Sequence, residues 1–167
     1  MADSTGIHLD DIIIRSITRA DADVIGALWA RLVAYHHALD AALPHAAPDG
    51  EAAYARRIED QVDDSYSRVF VAEHDGRIIG FVLGMIIDVM PHLFEQDAGG
   101  FLADIYVAPA YRRAGVGRAL VDALAAWFRS RGVQRMEWYV AARNESGRDF
   151  WHRMGGRDVM VRMRVDL

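Results

Sequence analysis

The stretch that decides the fold runs from residue 101 to residue 120 and reads FLADIYVAPAYRRAGVGRAL. Its first part, Leu102 to Val107, is an apolar run typical of a buried strand, and Pro109 marks the exit from that strand. A short turn rich in arginine and glycine follows, and a helix is predicted to begin near Val116. The order of strand, glycine turn and helix predicts an anion-binding site, because the first N–H groups of a helix have no partners within it.

The residues of the turn favour the same interpretation. Gly115 and Gly117 have no side chains, so an anion can approach the backbone closely. Arg112, Arg113 and Arg118 flank these glycines and can donate charge-assisted hydrogen bonds to phosphate oxygens. The alternative is an ordinary strand-to-helix turn that uses glycine for steric reasons and arginine for solubility.

Two common phosphate-binding motifs do not fit this turn. A Walker A loop ends in Gly-Lys-Ser/Thr, and the chain contains no lysine. A dinucleotide-binding fingerprint requires a third glycine where Leu120 stands. The motif that remains is Arg112-x-x-Gly115-x-Gly117, placed directly after a strand.

The composition limits the function classes. A chain of 167 residues with 52% hydrophobic residues predicts one globular domain, expected over residues 11–167 after a disordered start over residues 1–10. No apolar run approaches the roughly 20 residues of a membrane span, and no secretory signal is visible, so a cytoplasmic location is expected. The absence of cysteine excludes a cysteine acyl-enzyme intermediate, and a net charge of −5 argues against a nucleic-acid partner.

The hydrophobic periodicity predicts the order of the remaining elements. A strand is expected over 12–17, a helix capped by Thr18, a second helix over 51–63 and a hairpin around the turn Asp75-Gly76. A loop over 90–100 should lead into the central strand and overhang whatever binds there. After the glycine turn we expect a helix that ends at Gly132, a strand over 136–140, a short helix capped by Asn144 and a final strand from Val159 to Val165.

The motif Arg112-x-x-Gly115-x-Gly117 resembles the pyrophosphate-binding motif of the GNAT superfamily of acyl-CoA N-acyltransferases, usually written Gln/Arg-x-x-Gly-x-Gly/Ala. Beyond the first ~10 residues, the predicted order of elements is also that of the GNAT fold. The resemblance implies an α/β (α+β) fold, with a mixed, mostly antiparallel twisted sheet of about six to seven strands flanked by four helices. The central strands of such a sheet splay apart around the cofactor.

A second segment, Asn144-x-x-Gly147-x-x-Phe150-Trp151, is similar to the family's Asn-x-x-Ala-x-x-Phe-Tyr helix. The resemblance implies acetyl-CoA as cosubstrate and no metal. It assigns the pantetheine and acyl carbonyl to backbone groups of the central strand, and the middle of the cofactor to Asn144, which can equally be only a helix cap. The cofactor-binding residues expected from it are Ile105, Tyr106, Val107, Arg112, Arg113, Ala114, Gly115, Val116, Gly117, Arg118 and Asn144.

The chain departs from the family at the catalytic positions. The tyrosine that often protonates the leaving thiolate falls at Trp151, whose indole N–H is no useful acid. The proton for the thiolate would then come from Tyr139, Tyr111 or water, or the thiolate would leave without protonation. We take Tyr139 as the predicted proton donor. Gly156 stands where the family usually has an aromatic residue.

Many members carry a glutamate on the central strand, where this chain has Ala103. Asp104 is the nearest carboxylate and is predicted to be the general base, acting through water, with a structural role as the alternative. The alternation of a strand predicts that Asp104 shares a face with Leu102 and Tyr106.

The predicted function is N-acetyl transfer from acetyl-CoA to a primary amine by direct attack in a ternary complex. The expected acceptor is a small molecule, with a protein or peptide amine as the alternative. Dimers are common among similar enzymes, so a homodimer is among the expected assemblies. Two other hypotheses are a non-catalytic acyl-CoA-binding or regulatory module and a nucleotide phosphate-binding protein.

Overall fold

The computed structural model describes residues 8–88 and 98–166, in which five strands form one sheet. The strands are β1 (Ile13–Ser16), β2 (Ser67–His74), β3 (Arg77–Ile87), β4 (Gly99–Val107) and β5 (Met136–Trp138), and the helices are α1 (Ala22–Leu39), α2 (Gly50–Gln61), α3 (Val116–Ser130) and α4 (Glu145–Arg153). The strands lie in the sheet in the order β1-β2-β3-β4-β5, with three antiparallel pairings and a parallel pairing between β4 and β5. None of the helices described is long and apolar enough to cross a membrane.

Helices cover both faces of the sheet. On one face α1 and α2 pack against the sheet through a buried cluster that includes Ile25, Ile58 and Phe81. On the other face α3 and α4 pack through a second cluster that includes Leu120 and Trp151. Since successive residues of β3 contribute to opposite clusters, the long apolar run of this strand is explained by burial on both faces.

Turns and helix ends agree well with their predicted positions. Asp75 and Gly76 both have left-handed backbone angles, with φ of 49° and 71°, as a two-residue hairpin turn requires. Thr18 and Asp21 form the reciprocal hydrogen bonds of a capping box at the entry to α1. The predicted start of the helix at Val116 is confirmed, as are four helices and a mostly antiparallel sheet.

The predicted final strand is wrong. Residues 154–166 have no regular secondary structure, and the side chains of Val159, Val161, Met163 and Val165 are between 71% and 88% exposed. Alternation of apolar residues is common in strands, but a strand also requires a neighbouring edge, and no described strand pairs with this segment. The sheet of the described residues therefore has five strands, fewer than the six to seven expected.

The predicted facing of Leu102 is also wrong. In the register of β3 and β4, Leu83 lies opposite Asp104 while Gly84 lies opposite Leu102, so Ala103 is an extra residue that forms a β-bulge. The bulge reverses the alternation. Asp104 and Tyr106 therefore lie on the α1/α2 face, whereas Leu102 packs in the cluster on the α3/α4 face.

Two predictions fall partly or wholly outside the described residues. The loop over 90–100 is described only from residue 98, and the expected disordered start only from residue 8. Leu9–Asp11 form one turn of 3-10 helix. The side chain of Leu9 approaches Gly115, whose added Cβ would lie 3.4 Å from it.

A partly buried ion pair joins the start of α1 to the sheet. Arg15 binds both carboxylate oxygens of Asp21, at 2.8 Å and 3.0 Å, and its Nε contacts Glu73 at 2.8 Å. The Arg15 guanidinium and the Thr18 hydrogen bonds outweigh the burial of Asp21 and lower the pKa of this carboxyl from 3.8 to about 2. The carboxyl is buried, whereas the Arg15 side chain is 33% exposed, so solvent screens the pair in part.

We expect Asp21→Asn to destabilise the protein by about 1–3 kcal/mol, because the partly buried Arg15 loses one of its two carboxylate partners. A carboxyl with a lowered pKa stabilises the fold fully above its unfolded pKa and loses this effect as the pH falls toward the folded pKa. The difference between the two proteins in thermal melts should therefore be largest near pH 6 and shrink below pH 4. Asp63→Asn is the control, since Asp63 pairs with Arg19 in an exposed ion pair worth under about 1 kcal/mol. Equal losses from both substitutions would contradict this account.

Candidate active site

The sheet opens between β4 and β5. The two strands pair only across residues 100–102 of β4, which then continues to Val107 without a partner on that side. The amide of Ala108 donates to Ile79 of β3 at 2.8 Å. Because alternate residues of a strand turn their backbone groups to opposite edges, Ile105 and Val107 direct theirs into the gap beside β5. β4 therefore extends beyond the end of β5, and the splay of the two strands around a cofactor stays a prediction.

The N-terminus of α3 borders this gap. Gly115 caps the helix with a left-handed φ of 85°, and Arg113 before it has a φ of 67°. Left-handed residues in a tight turn help successive N–H groups to point into one concavity. A Cβ added to Gly117 would lie 3.5 Å from the ring of Phe150 and 3.9 Å from Val107. The glycine turn, the end of β4 and α4 therefore meet at one place.

The three arginines of the turn differ in their contacts. Arg112 donates from Nε to the carbonyl oxygen of Val107 at 2.9 Å, and its guanidinium lies 5.5 Å from the ring centroid of Tyr35 and 5.7 Å from that of Tyr106. Arg113 is exposed, and Arg118 donates to the carbonyl of Arg153 at 3.4 Å. Arg112 thus lies at the gap itself, where it holds one of the backbone carbonyls that β5 leaves unpaired.

The helix-capping role of Asn144 is observed directly. Its Oδ1 accepts from the amide of Gly147 at 3.0 Å and from the hydroxyl of Tyr35 at 3.3 Å. A Cβ at Gly147 would lie 2.5 Å from Nδ2 of Asn144, so the cap packs closely on the first turn of α4. Tyr35 therefore contacts two predicted cofactor residues, Arg112 and Asn144, from the opposite helix layer.

Asp104 projects from β4 on the α1/α2 face. Its Oδ2 accepts a hydrogen bond from the hydroxyl of Tyr54 at 2.8 Å. Burial raises the pKa of this carboxyl above its ordinary 3.8, and the Tyr54 hydrogen bond and the charges of Arg57 and His36 oppose the rise. Burial lowers the pKa of His36, so this imidazole tends to be neutral beside the carboxyl. A carboxyl with a raised pKa is a stronger base when ionised, which suits proton abstraction.

The candidate proton donors lie in different surroundings. Tyr139 is 73% exposed, just past the end of β5, and its ring meets that of Phe101 edge-on at 5.5 Å. The hydroxyl of Tyr111 lies 3.4 Å from Nδ1 of His74, at the hairpin end of the sheet. Tyr139 is therefore on the β4/β5 side, whereas Tyr111 is engaged elsewhere.

Trp151 is a core residue. It is 7% exposed and packs against Trp138, with 4.3 Å between ring centroids and 34° between ring planes. A Cβ on Gly156 would lie 2.9 Å from the Trp138 ring and 3.0 Å from the Trp151 carbonyl oxygen. The two tryptophans therefore leave no room for a side chain at position 156.

Sequence reasoning missed Tyr35, His36, Tyr54 and Arg57 as neighbours of the site. Tyr35 and Tyr54 lie at apolar positions of amphipathic helices, and His36 lies in the last turn of α1, so their sequence neighbours give no sign of a site. Their partners Asn144 and Asp104 are 109 and 50 positions away, so no local pattern could have indicated these contacts. Within the described ranges, no three His, Asp or Glu side chains are grouped to hold a metal ion.

A family model described as the acetyltransferase (GNAT) family matches residues 32–156 of the chain. The chain belongs to the GNAT family of acetyltransferases. The GNAT match extends from α1 to just beyond α4, and so includes β4, the glycine turn and the Asn144 helix. The resemblance drawn from Arg112, Gly115 and Gly117 is confirmed, and so is the predicted enzyme class, acyltransferase.

Three individual proteins are similar to this chain in sequence or in fold. A glucosamine 6-phosphate N-acetyltransferase of Trypanosoma brucei brucei is 32% identical over 102 residues, which are 60% of this chain and 65% of that protein. A mutant of the Bacillus halodurans protein BH1408 superposes with a TM-score of 0.81 at 20% identity, covering 93% of this chain and 99% of the other. The aminoglycoside N-acetyltransferase AAC(6')-Iy, crystallised with CoA, gives a TM-score of 0.72 at 22% identity over 97% and 99%. At these identities the two structures show the fold alone.

Proposed function

We propose that this GNAT protein transfers the acetyl group of acetyl-CoA to the primary amine of a small molecule, with both substrates bound together. The proposal rests on one observation: strand β4 carries both the backbone groups that border the gap and the carboxyl of Asp104. The backbone of Ile105 and Val107, which β5 leaves without a strand partner, adjoins the N-terminus of α3, and Asp104 precedes them with a half-buried carboxyl of raised pKa. The proposed acetyl-CoA site therefore lies next to Asp104, the proposed base.

The proposed cofactor site follows the gap. The diphosphate would bind the free N–H groups at Gly115, Val116 and Gly117, with the charge of Arg112, Arg113 and Arg118 nearby. The pantetheine arm would pair with backbone groups of Ile105 and Val107, alongside Ala114, Tyr106 and the amide of Asn144. Since Arg112 now holds the carbonyl of Val107, this side chain must move for the arm to pair there.

The chemistry follows from the charges. An amine is protonated near neutral pH and must first lose a proton, which Asp104 takes directly or through water. The nitrogen then attacks the thioester carbon, and backbone N–H groups of the splayed strand stabilise the oxyanion by about 3 kcal/mol per donor. The C–S bond breaks as the tetrahedral intermediate collapses, the nitrogen loses its second proton, and this proton reaches the CoA thiolate through Tyr139 or water.

The names of the relatives support a small-molecule acceptor. The trypanosomal protein is named for an amino sugar phosphate, and the fold neighbour for aminoglycosides, which are amine-bearing sugars. A protein or peptide amine is the alternative acceptor. Amino sugars, polyamines and peptides with free N-termini form the panel on which thiol release decides between them.

We expect initial rates measured against acetyl-CoA and amine to give intersecting double-reciprocal lines, because a chain without cysteine has no thiol to carry the acetyl group. Parallel lines would indicate an acyl-enzyme and would overturn direct transfer. As a control, CoA but not ATP should compete with acetyl-CoA. Competition by ATP at similar concentrations would favour the nucleotide-binding hypothesis.

The second candidate is a non-catalytic acyl-CoA-binding module, which Trp151 and Ala103 favour because both replace residues that the family uses in catalysis. Tight acetyl-CoA binding without thiol release on any amine would support it.

The assembly and location stay predictions. A homodimer is consistent with the exposed apolar side chains of Val159, Val161, Met163 and Val165, which another copy could cover. Light scattering would then give twice the chain mass of 18.7 kDa. A cytoplasmic location remains the expectation.

A further inference from the structure

Tyr54 takes no part in the reaction described above, yet it contacts the proposed base. It lies on α2, is 7% exposed, and donates its hydroxyl to Oδ2 of Asp104 at 2.8 Å. This hydrogen bond joins α2 to the middle of β4. A buried tyrosine hydroxyl requires a partner, and here that partner is the carboxyl next to the cofactor gap.

Two aromatic rings pack against the ring of Tyr54. Trp29 of α1 stacks on it with 4.7 Å between ring centroids and 9° between planes, and Phe81 of β3 contacts it at 6.3 Å. All three residues lie on regular elements. The hydroxyl therefore has little freedom to leave Asp104, and a group held on rigid elements positions its partner more accurately than one on a loop.

The two oxygens of the Asp104 carboxyl are not equivalent. Oδ2 is occupied by Tyr54, whereas no hydrogen bond to Oδ1 is present within residues 8–88 and 98–166. The titratable groups that face the carboxyl are Tyr54 and Arg57 from α2 and His36 from α1. Among these only Tyr54 has a hydrogen bond to it, so Tyr54 determines which oxygen is free.

We propose that Tyr54 is a positioning residue of the acetyl transfer, because its hydroxyl holds Oδ2 of Asp104 and leaves Oδ1 to face the amine. This inference rests on the proposed function, in which Asp104 is the base. The same hydrogen bond favours the ionised carboxyl against the effect of burial, so it sets the pH at which the base becomes active.

Tyr54→Phe tests the proposal, because it removes one oxygen atom and keeps the ring between Trp29 and Phe81. We expect kcat to fall about 10-fold with KM for the amine nearly unchanged. The acidic limb of the kcat/KM profile should move to higher pH by about 0.5–1 pH unit, since the ionised carboxyl loses a donor. The pH at which this limb lies does not depend on the amount of folded enzyme. The test therefore remains valid if Tyr54→Phe is less stable than the wild type.

The same substitution in an Asp104→Asn background should cause no further loss, because a positioning residue has no effect without the group that it positions. Tyr66→Phe is the matched control, since Tyr66 is 67% exposed. An unmoved limb in Tyr54→Phe, or an additive loss in the double variant, would overturn the positioning role. Wild-type turnover by Asp104→Asn alone would instead remove Asp104 as the base, which is a failure of the proposed function itself.

Discussion

Replacing Asp104 by Asn should lower kcat about 10²- to 10⁴-fold, the range by which a positioned general base accelerates proton transfer. Asparagine keeps the size of the side chain and can still contact the Tyr54 hydroxyl, but it cannot take a proton from an ammonium group. Affinity for acetyl-CoA should change by less than about twofold, because the predicted cofactor contacts lie on the backbone and on the glycine turn. Steady-state kinetics and calorimetry on the same preparation measure both quantities.

The wild-type enzyme should lose activity as the pH falls through the pKa of Asp104. Burial raises that pKa, so the acidic limb should lie above the ordinary value of 3.8. Asp122→Asn is the control, since Asp122 is exposed on α3, and its turnover and pH profile should match the wild type. A structural carboxylate would behave differently: Asp104→Asn would lower the melting temperature while folded enzyme kept its kcat.

The variant carrying Arg112→Ala and Gly117→Val should bind acetyl-CoA at least about 100-fold more weakly. A charge-assisted hydrogen bond contributes about 1.5–3 kcal/mol, so loss of Arg112 alone predicts a 10-fold effect or more. Valine at 117 would extend toward Phe150 and Val107, which narrows the gap beside the helix N-terminus. Isothermal titration with acetyl-CoA and with CoA measures the loss.

Matched variants separate site effects from folding effects. Gly117→Ala should keep most of the affinity, because an added Cβ meets Phe150 only at ordinary contact distance, 3.5 Å. Arg129→Ala removes an exposed arginine from the other end of α3 and should leave binding unchanged. If Arg112→Ala and Gly117→Val each bound acetyl-CoA like the wild type, the glycine turn would not be the diphosphate site, and the assignment of the cofactor would fail.

Features that depend on a few neighbouring residues could be predicted from the sequence. Three such features are the hairpin at Asp75-Gly76, the capping box of Thr18 and the start of α3 at Val116. The first and third depend on the backbone freedom of glycine, and the second depends on side chains that bind the nearby backbone. The left-handed φ of Gly115 belongs to the same class, since a left-handed residue before a helix is a local requirement.

Features that depend on a distant partner could not be predicted. The segment 159–165 has the alternation of a strand, but pairing requires an edge that no local pattern reveals. The bulge at Ala103 follows from the register with β3, and it reversed the predicted face of Leu102. The site itself is the clearest case, because Tyr54 reaches Asp104 across 50 positions.

By itself, then, the sequence determined the order of the elements as far as α4, the glycine turn that opens α3, and the acyltransferase family to which the chain belongs. Only the tertiary structure decided the gap beside Ile105 and Val107, the face on which Asp104 lies, and its contact with Tyr54. Local conformation is set by short-range sterics and hydrogen bonds. The surroundings of a buried carboxyl, and therefore its pKa and its chemistry, are set by which distant segments pack around it.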